Sequence, residues 1–476
     1  MKTRLVAVCS VLSFGLATWA APALRAVPQD ETHTPPQAAA QPEEPPVSDE
    51  GSQPAIYKPQ GNVITPDSSV ARPDDAGLRA HTNVHIFVPS GRQQSSAVPD
   101  YTFAETPASL ACVYKMGPTY SGCNPTTGAT SHATGGWGAI ALVDAYDNPN
   151  ASSDLAYFSS YWGLPVAGYS RVLANTSFGT LNGYTASCSG TPAANVGWGL
   201  EEDLDIEWAH AMAPKAHIIL VEACSNSYND LLFAEQVAGI KVASWGGGDI
   251  SNSWGSSEFS TETNTTDDVF YRYYWQHITY FASAGDSGWG AAYPSSSPWV
   301  VSAGGTTVNR DANGNYLSES CWSGSGGGVS AYELWQSPPS ILNGMGPWAA
   351  YQYPFAGQGP RQTPDLSFDA DPASGVWVYD SYGYGGWVVV GGTSVASPSL
   401  AGIINASDNK LGQGPYTGGY YTTEENNLIY DQLYANLAYP NNFHDVTTGS
   451  NGSGHNAAVG YDQCTGVGTP YGHLGK

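Results

Sequence analysis

The pattern of apolar and polar residues divides the chain into three parts. Residues 5–19 form one apolar run, residues 24–83 show no hydrophobic periodicity, and the composition changes again at about residue 84. From Trp137 onward, short runs rich in β-branched residues alternate with helical patterns, which is typical of a parallel sheet with helical crossovers. We therefore predict an α/β fold, a doubly wound parallel sheet flanked by helices, in one large domain over residues 84–476.

The same pattern predicts where the main elements lie. The strands are expected at residues 137–144, 217–222, 278–284 and 299–303. The helices are expected at residues 153–162, 201–213, 228–239 and 394–409.

The N-terminal residues have the form of a targeting segment. Lys2 and Arg4 precede the apolar run, and residues 21–23 have the Ala-x-Ala form that signal peptidases read. We therefore predict a signal peptide over residues 1–23 and a secreted protein. The alternative, a membrane anchor, needs about 20 apolar residues, and this run is shorter.

Residues 24–83 are rich in Pro, Ala, Gln, Glu and Asp. A segment of this composition cannot bury enough apolar surface to offset the entropy lost on folding. We predict that it is a disordered, Pro-rich linker or a short prosegment.

The acidic composition excludes nucleic-acid binding and favours an acidic environment. The 476 residues include 16 Lys and Arg against 41 Asp and Glu, a formal net charge of −25, which excludes a generic nucleic-acid binder. Charged residues make up 12% of the chain, compared with about 25% in ordinary proteins. Because few cations leave few ion pairs for acid to break, we predict stability at low pH. The alternative is that the charge serves solubility alone.

The cysteines predict disulfides. Removal of the signal peptide leaves an even number, which in an exported protein favours pairing; they are Cys112, Cys123, Cys188, Cys224, Cys321 and Cys464. We predict a Cys112–Cys123 bond. The other four allow three pairings, of which one with a Cys188–Cys224 bond is weakly favoured. The absence of Cys-x-x-Cys spacing argues against zinc or redox chemistry.

A candidate nucleophile lies near residue 394. Residues 391–398 read Gly-Gly-Thr-Ser-Val-Ala-Ser-Pro; they follow a strand-like run at residues 387–390 and open a predicted helix. Glycines allow a substrate backbone to approach, and free N–H groups at a helix start can bind an oxyanion, so Ser394 is placed as a nucleophile would be. A serine-rich helix cap gives the same local sequence.

A candidate base lies in the acidic helix at residues 199–210. Glu201 and Asp205 are four residues apart and share one helix face, which suggests a shared proton or a shared task; the alternative is a solvated acidic face. His210 lies half a turn from Glu201, so we interpret it as structural. Asp144 could serve as the aspartate of a His-containing triad, but no Gly-rich histidine motif accompanies it.

These motifs together resemble the sedolisin family, the serine-carboxyl peptidases. Glu-x-x-Leu-Asp followed by Trp-Ala-His-Ala-x-Ala-Pro matches the catalytic helix of that family, and Gly-Thr-Ser-x-x-x-Pro is shared by subtilases and sedolisins. Further family motifs follow in order, over roughly residues 100–476: residues 253–255, 283–288, 293–294, 304–307 and 324–328. The resemblance implies a subtilisin-like fold, with Ser394 as nucleophile, Glu201 as general base, Asp205 as its orienting partner and Asp286 in the oxyanion hole.

A carboxylate base suits acidic conditions. A histidine is fully protonated at pH 4, whereas a glutamate with a pKa of about 4.3 can still accept a proton there. Asp286 can stabilise an oxyanion only while it is protonated, together with the backbone N–H of Ser394; the structural alternative for Asp286 is an Asx-type turn. We therefore expect an acidic optimum and little activity at pH 7.

The C-terminal region offers a candidate calcium site. Two carboxylates separated by Gly-rich backbone suit a hard cation. The family resemblance implies one structural Ca²⁺, with these ligands: Asp445, the carbonyl groups of Val446, Ala458 and Gly460, and Asp462. A capped turn without metal is the alternative. The rival cluster of Asp365, Asp369 and Asp371 is interpreted as loop capping.

The sequence thus predicts a secreted, monomeric, acid-acting serine-carboxyl endopeptidase of protein or peptide substrates, without nucleic-acid or membrane partners. A tripeptidyl-peptidase, a non-catalytic binding protein and a glycosidase are the alternatives. Family members usually carry a large folded prosegment, whereas fewer than about 80 residues are available here. We expect trimming near residues 80–100, or maturation without such a prosegment.

Overall fold

A computed structural model of the chain describes residues 55–90, 99, 101–116, 132–262, 268–271, 277–334, 360–407, 424–435, 439–474 and 476. They belong to one compact unit, Pro54–Lys476. None of the helices in these ranges has the length and apolar character needed to cross a membrane. The predicted signal peptide lies outside the described residues and stays a prediction.

The strands are, in chain order, β1 (Gly61–Ile64), β2 (His81–Thr82), β3 (His85–Pro89), β4 (Ala139–Ala145), β5 (Gly168–Ala174), β6 (Thr180–Leu181), β7 (Tyr184–Thr185), β8 (His217–Ala223), β9 (Gly248–Asn252), β10 (Trp254–Ser257), β11 (Ile278–Ser283), β12 (Ala292–Tyr293), β13 (Val301–Arg310), β14 (Tyr316–Cys321), β15 (Gly328–Leu334), β16 (Pro360–Thr363), β17 (Leu366–Asp369), β18 (Val376–Asp380), β19 (Gly386–Gly391), β20 (Phe443–His444), β21 (Ser450–Gly452), β22 (His455–Asn456) and β23 (Thr469–Pro470).

The α-helices are, in chain order, α1 (Pro107–Val113), α2 (Ala151–Trp162), α3 (Val196–Met212), α4 (Tyr228–Ser244), α5 (Asp268–Tyr271), α6 (Thr393–Ala406), α7 (Glu424–Ala435) and α8 (Tyr439–Asn442).

The central sheet has eight strands. Seven follow the order β14-β13-β11-β9-β4-β8-β5, and β17 also pairs with β13. Every pairing is parallel except β13 with β14. Because helices cover both faces, strands such as β4 are buried along their whole length and read as continuous apolar runs. The predicted α/β fold with a doubly wound sheet is confirmed.

Two helices that pack against the central sheet carry the candidate catalytic residues. Helices α3 and α6 pack closely against each other, and α3 is buried from Trp198 to Met212 although it carries five acidic residues. The helix starts earlier than predicted because the Asn195 side chain accepts hydrogen bonds from the N–H groups of Gly197 and Trp198. A fully buried acidic helix is unusual, since carboxylates are rarely buried without a partner.

Part of the segment that was predicted as a disordered linker or a short prosegment is ordered. Residues 55–83 belong to the folded unit: β1 pairs with β3, and β2 pairs with β10. Their apolar content is low, but main-chain hydrogen bonds to existing strands hold them in place. The part of the predicted linker before residue 55 lies outside the described residues.

Two disulfides are visible in the described part of the chain. Cys188 is bonded to Cys224, as favoured from the sequence, and Cys321 is bonded to Cys464. Cys112 is also disulfide-bonded. Position 123 lies outside the described residues, so the predicted Cys112–Cys123 bond stays a prediction.

Candidate active site

Ser394 lies in the first turn of α6, directly after β19. Gly392 at the helix N-cap has a φ of 115°, and a Cβ there would approach the backbone oxygen of Asn83 to 2.1 Å, so glycine is required. The Ser394 hydroxyl is buried and donates to the Ser253 carbonyl oxygen at 3.2 Å. The strand-to-helix junction thus aims the hydroxyl at the cleft beside β10.

Glu201 and Asp205 lie on the face of α3 that packs toward α6. The Ser253 hydroxyl donates to Asp205 Oδ1 at 2.7 Å. Neither Glu201 oxygen has a well-formed hydrogen bond, but the hydroxyls of Ser394 and Ser253 lie near enough to hold its pKa below what burial alone would give. Burial nevertheless raises the pKa of both carboxyls well above the usual range. The structure therefore brings Ser394, Glu201 and Asp205 together.

Asp144 is a third carboxyl of this group. It lies near the C-terminal end of β4, is fully buried, and has no hydrogen-bond partner for either oxygen among the described residues. Burial raises the pKa of Asp144 to about 8, and its charge further raises the pKa of Glu201 and Asp205. Like charges this close favour a proton shared among the three. A lone acid ending a buried parallel strand is the sequence signal that could have placed Asp144 with the pair.

Asp286 lies beside the start of α6. The backbone N–H and the hydroxyl of Thr393 both donate to its Oδ1 at 2.8 Å. Its Oδ2 has no well-formed hydrogen bond, and His85 Nε2 lies 3.4 Å away. Burial raises the pKa of Asp286 to about 7, whereas burial lowers the pKa of His85. A protonated Asp286 therefore has a free oxygen with which to donate.

A segment of the chain itself occupies the cleft. Thr82 and His81 of β2 pair antiparallel with Trp254 and Gly255 of β10. This arrangement could not be predicted from the sequence, because the segment is held by main-chain contacts rather than by an apolar pattern.

At the end of that segment, Asn83 contacts the candidate nucleophile. The Ser394 N–H donates to the Asn83 carbonyl oxygen at 3.1 Å, and the Asn83 N–H donates to Ser394 Oγ at 3.1 Å. A helix-start N–H bonded to a peptide carbonyl is the arrangement expected of an oxyanion hole with a ground-state substrate in it.

The predicted calcium ligands form one loop cluster. Asp445 accepts from Gly460 N at 3.1 Å, and Asp462 Oδ2 accepts from Ala458 N at 2.9 Å. Within the described ranges, the carbonyl oxygens of Val446, Ala458 and Gly460 accept no hydrogen bond. Carboxylates beside free carbonyls fit the oxygen donors that Ca²⁺ prefers.

A different acidic cluster lies on the opposite side of α3. Asp154, Asp203 and Asp380 each offer one oxygen within 4.8 Å of the others, and all three are buried. Ser381 donates to Asp154 through its N–H at 2.9 Å and its hydroxyl at 2.7 Å. Sequence reasoning did not identify this cluster, since its members come from α2, α3 and β18.

The residues interpreted as structural do make structural contacts. His210 Nε2 donates to the Pro165 carbonyl at 2.9 Å. Asp365 pairs with Arg361 at 2.5 Å, and Asp371 accepts from Ala373 N at 2.9 Å, capping the 3-10 helix Pro372–Ser374. Asp369 accepts from the Ser374 hydroxyl at 2.6 Å.

Comparison with known proteins defines the class first. The model of the subtilase family of peptidases matches residues 163–417, more than half of the chain. The solved structure of Pseudomonas sedolisin, a serine-carboxyl proteinase, superposes with a TM-score of 0.57 at 24% identity, covering 77% of this chain and 95% of that one. The fold is therefore that of the subtilisin-like peptidases.

Individual relatives narrow the class. Kumamolisin from a Bacillus species is 30% identical over 370 residues, which are 70% of this chain and 58% of kumamolisin. Sedolisin from a Pseudomonas species is 31% identical over 225 residues, 41% of this chain and 33% of sedolisin. Tripeptidyl-peptidase 1 from Dictyostelium discoideum is 26% identical over 303 residues, 59% of this chain and 47% of that protein. The chain thus spans less than two thirds of the length of these relatives, and it belongs to the sedolisin family within the subtilisin-like peptidases.

Proposed function

We propose that this chain is a secreted serine-carboxyl peptidase that hydrolyses peptide bonds at acidic pH. The observation that carries the proposal is the Ser394 hydroxyl between a buried carboxyl pair and a peptide carbonyl group. Relatives named as peptidases support it, and two disulfide bonds suit an exported protein.

The geometry supports one sequence of steps. The group acts with Glu201 ionised and the shared proton held by Asp205 or Asp144. Ser394 Oγ attacks the substrate carbonyl carbon while Glu201 accepts the hydroxyl proton and Asp205 orients Glu201. Asp286 and the Ser394 N–H stabilise the oxyanion. Glu201 then returns the proton to the leaving amine, and water hydrolyses the acyl-enzyme. The binding-protein alternative lacks support because all four groups are present and adjacent.

The pH dependence follows from Asp286. Burial raises its pKa to about 7, so it donates to an oxyanion below that pH and repels one above it. We therefore infer that activity falls as pH rises through about 7.

The occupied cleft favours an endopeptidase over a tripeptidyl-peptidase. Counting back from Asn83, the third residue is His81, yet contacts continue beyond it. Ala80 N donates to the Asn226 carbonyl oxygen at 2.9 Å, and Tyr228 N donates to the Leu78 carbonyl oxygen at 3.1 Å. A peptidase that removes tripeptides must close the cleft after the third residue, and this cleft binds a continuous chain.

We expect denatured protein to be cut internally from pH 2.5 to about 6 and only weakly at pH 7.5. An N-acetylated decapeptide should be cut as fast as the same peptide with a free N-terminus, since the cleft accepts chain beyond the third residue. Mass spectrometry of the products distinguishes the two modes, with Ser394→Ala as the inactive control. Release of tripeptides from free N-termini alone would contradict the endopeptidase proposal.

We also propose that Asp445, Asp462 and the carbonyl groups of Val446, Ala458 and Gly460 hold one structural Ca²⁺. The ion would neutralise two partly buried carboxylates and tie the 445–446 and 458–462 loop segments together.

Removal of calcium should therefore lower thermal stability. We expect chelator at pH 6 to lower the Tm of the Ser394→Ala protein by several degrees, about the effect of 1–2 kcal/mol in a domain this size. Asp462→Asn should lower the Tm in calcium and abolish the response to chelator. Asp371→Asn, in a capping turn elsewhere, is the matched control and should keep that response. If chelator leaves the Tm of the parent protein unchanged, the proposal of a structural calcium site is wrong.

A further inference from the structure

The residue before the nucleophile contacts Asp286. We propose that Thr393 is a positioning residue of the oxyanion hole, which holds Asp286 Oδ1 with two hydrogen bonds and so keeps the proton of the acid on Oδ2, the oxygen that faces the attacked carbonyl group. The inference rests on the proposed function and adds to it the residue that decides which oxygen donates and up to what pH it does so.

Thr393 uses the acceptor sites of one carboxyl oxygen of Asp286. The backbone N–H of Thr393 donates to Asp286 Oδ1 at 2.8 Å, and the Thr393 hydroxyl donates to the same oxygen at 2.8 Å. A carboxyl oxygen has about two acceptor sites, so a proton on Oδ1 would displace one of these donors. The proton of the neutral acid is therefore held on Oδ2.

A third contact fixes the direction of the Thr393 hydroxyl. The N–H of Gly285 donates to Thr393 Oγ1 at 3.1 Å. Because an amide N–H can only donate, the Thr393 oxygen accepts on this side and its own proton is directed to Asp286 Oδ1. The backbone N–H of Thr393 can also only donate. Both hydrogen bonds at Oδ1 thus run toward the carboxyl group.

Asp286 Oδ2 faces the carbonyl group that occupies the oxyanion hole. A Cβ on Gly392 would lie 2.1 Å from the Asn83 carbonyl oxygen and 2.5 Å from Asp286 Oδ2. The two oxygens therefore border the same small space, which Gly392 leaves open because it has no side chain. The Ser394 N–H donates to the same Asn83 oxygen at 3.1 Å. A proton on Oδ2 is thus placed to give a developing oxyanion its second hydrogen bond.

The same contacts influence how readily Asp286 ionises. Burial raises the pKa of Asp286 to about 7, and the two hydrogen bonds from Thr393 act in the opposite direction because they favour the charged form. Loss of one of these bonds must therefore raise the pKa of Asp286 further. Thr393 thus orients the proton and at the same time lowers the pH at which the proton is lost.

Titratable groups on two other elements also face Asp286. His85 on β3 has its Nε2 atom 3.4 Å from Oδ2, and burial lowers the pKa of His85, so this imidazole is neutral where Asp286 titrates. Glu201 on α3 interacts with Asp286 electrostatically, and the charge of Asp286 raises the pKa of Glu201. Both groups are the same in every variant at position 393, so differences between those variants report on Thr393.

The first test compares two substitutions at position 393 in the full chain. Thr393→Val keeps the size of the side chain and removes the hydroxyl, whereas Thr393→Ser keeps the hydroxyl. The measurement is kcat on an acetylated peptide between pH 3 and pH 9. For Thr393→Val we expect kcat at pH 4 to fall about tenfold and the alkaline limb of the profile to move up by about one pH unit. Thr393→Ser should keep the alkaline limb and the kcat of the parent protein.

Infrared spectroscopy gives a second measurement that does not depend on activity. The carboxyl band of Asp286 is isolated as the difference between the Ser394→Ala protein and the same protein with Asp286→Asn. If the proton is on Oδ2, then Oδ1 is the carbonyl oxygen, and loss of a donor to it moves the C=O stretch to higher wavenumber. Thr393→Val should therefore raise both the wavenumber of the band and its titration midpoint of about 7. Thr393→Ser should change neither.

Ser397→Ala is the matched control for loss of a buried hydroxyl on the same helix. Ser397 lies one turn beyond Thr393 in α6, and its hydroxyl contacts the hydroxyl of Ser251 at 2.8 Å. Its removal should leave the alkaline limb and the infrared band unchanged. If Ser397→Ala shifts both as Thr393→Val does, the effect comes from the packing of α6 and the inference is wrong.

The outcomes separate this inference from the proposed function. If Thr393→Val leaves the band and the alkaline limb where they are in the parent protein, or Thr393→Ser behaves like Thr393→Val, the hydroxyl has no positioning role and the peptidase still stands. If the parent protein cuts no substrate, the proposed function fails. The infrared band then still shows whether the hydroxyl of Thr393 holds Asp286 Oδ1.

Discussion

Glu201→Gln should lower kcat at pH 4 by about ten-thousand-fold, as removal of a general base from a serine peptidase does. The amide keeps the shape of the side chain but cannot accept the Ser394 proton. Because glutamine does not ionise, it also removes the like-charge strain with Asp144, so the variant should be at least as stable as the parent. The measurement is kcat on an acetylated peptide, with Tm recorded in parallel.

Glu207→Gln is the matched control. Glu207 lies on the same helix, is equally buried, and accepts a hydrogen bond from Tyr379 N at 3.0 Å, which glutamine can preserve. Its side chain lies on the side of α3 that carries Asp203, away from Ser394. The same chemical change should therefore leave kcat within about twofold. Equal losses in both variants would show that the effect comes from packing of α3 and not from proton transfer.

The sequence predicted the sheet and its main helices because their apolar periodicity is strong. It also predicted the four chemical groups, since Ser394 and the Glu201–Asp205 pair lie in local motifs whose spacing determines which face of an element they share. Asp286 required the family resemblance, because its role depends on contact with Thr393, more than a hundred residues away.

Other features of the structure could not be predicted from any local sequence pattern. The contact between Asn83 and Ser394 joins residues 311 apart in sequence through the main chain of Asn83, which no composition pattern encodes. The same holds for the cluster of Asp154, Asp203 and Asp380, whose members come from three separate elements. Residues 55–83 fold against strands of the domain, which a short prosegment can do and a disordered linker does not. Low hydrophobicity indicates disorder only when no existing strand offers its backbone groups.

Buried carboxyl groups occur both in the candidate active site and in the rest of the core. Carboxyls are buried in the catalytic group and also elsewhere, as with Asp249 and Glu425, where burial raises each pKa to about 8. Asp249 and Glu425 are therefore neutral in the folded chain at acidic pH, whereas the catalytic group must keep one carboxyl ionised to act as the base. Acid therefore leaves the core intact and keeps Asp286 able to donate, so the conditions that favour the chemistry also favour the fold.

The free energy of unfolding should consequently fall as pH rises from about 4 to about 8. The pKa of Asp249 is near 4 in the unfolded chain and about 8 when folded. The stability from its neutral form is thus fully present below pH 4 and is lost as pH rises through 8. Each such group contributes a slope of about 1.4 kcal/mol per pH unit over that window. Denaturant unfolding of the Ser394→Ala protein at several pH values measures the slope.

The Asp249→Asn variant measures how much one buried carboxyl contributes to this pH dependence of stability. Asparagine can still accept the hydrogen bond that Asn405 donates at 2.8 Å, but it cannot ionise, so the slope should decrease by about one proton and the stability at pH 8 should rise by several kcal/mol. Asp311→Asn is the control, because hydrogen bonds from Asn315 lower the pKa of that exposed carboxyl and it stays ionised across the window. A parent protein whose stability is constant or rises from pH 4 to 8 would mean that the buried carboxyls are charged in the folded chain. The proposal that Asp286 is protonated at the working pH would then fail, since it depends on the same effect of burial on the pKa of a carboxyl group.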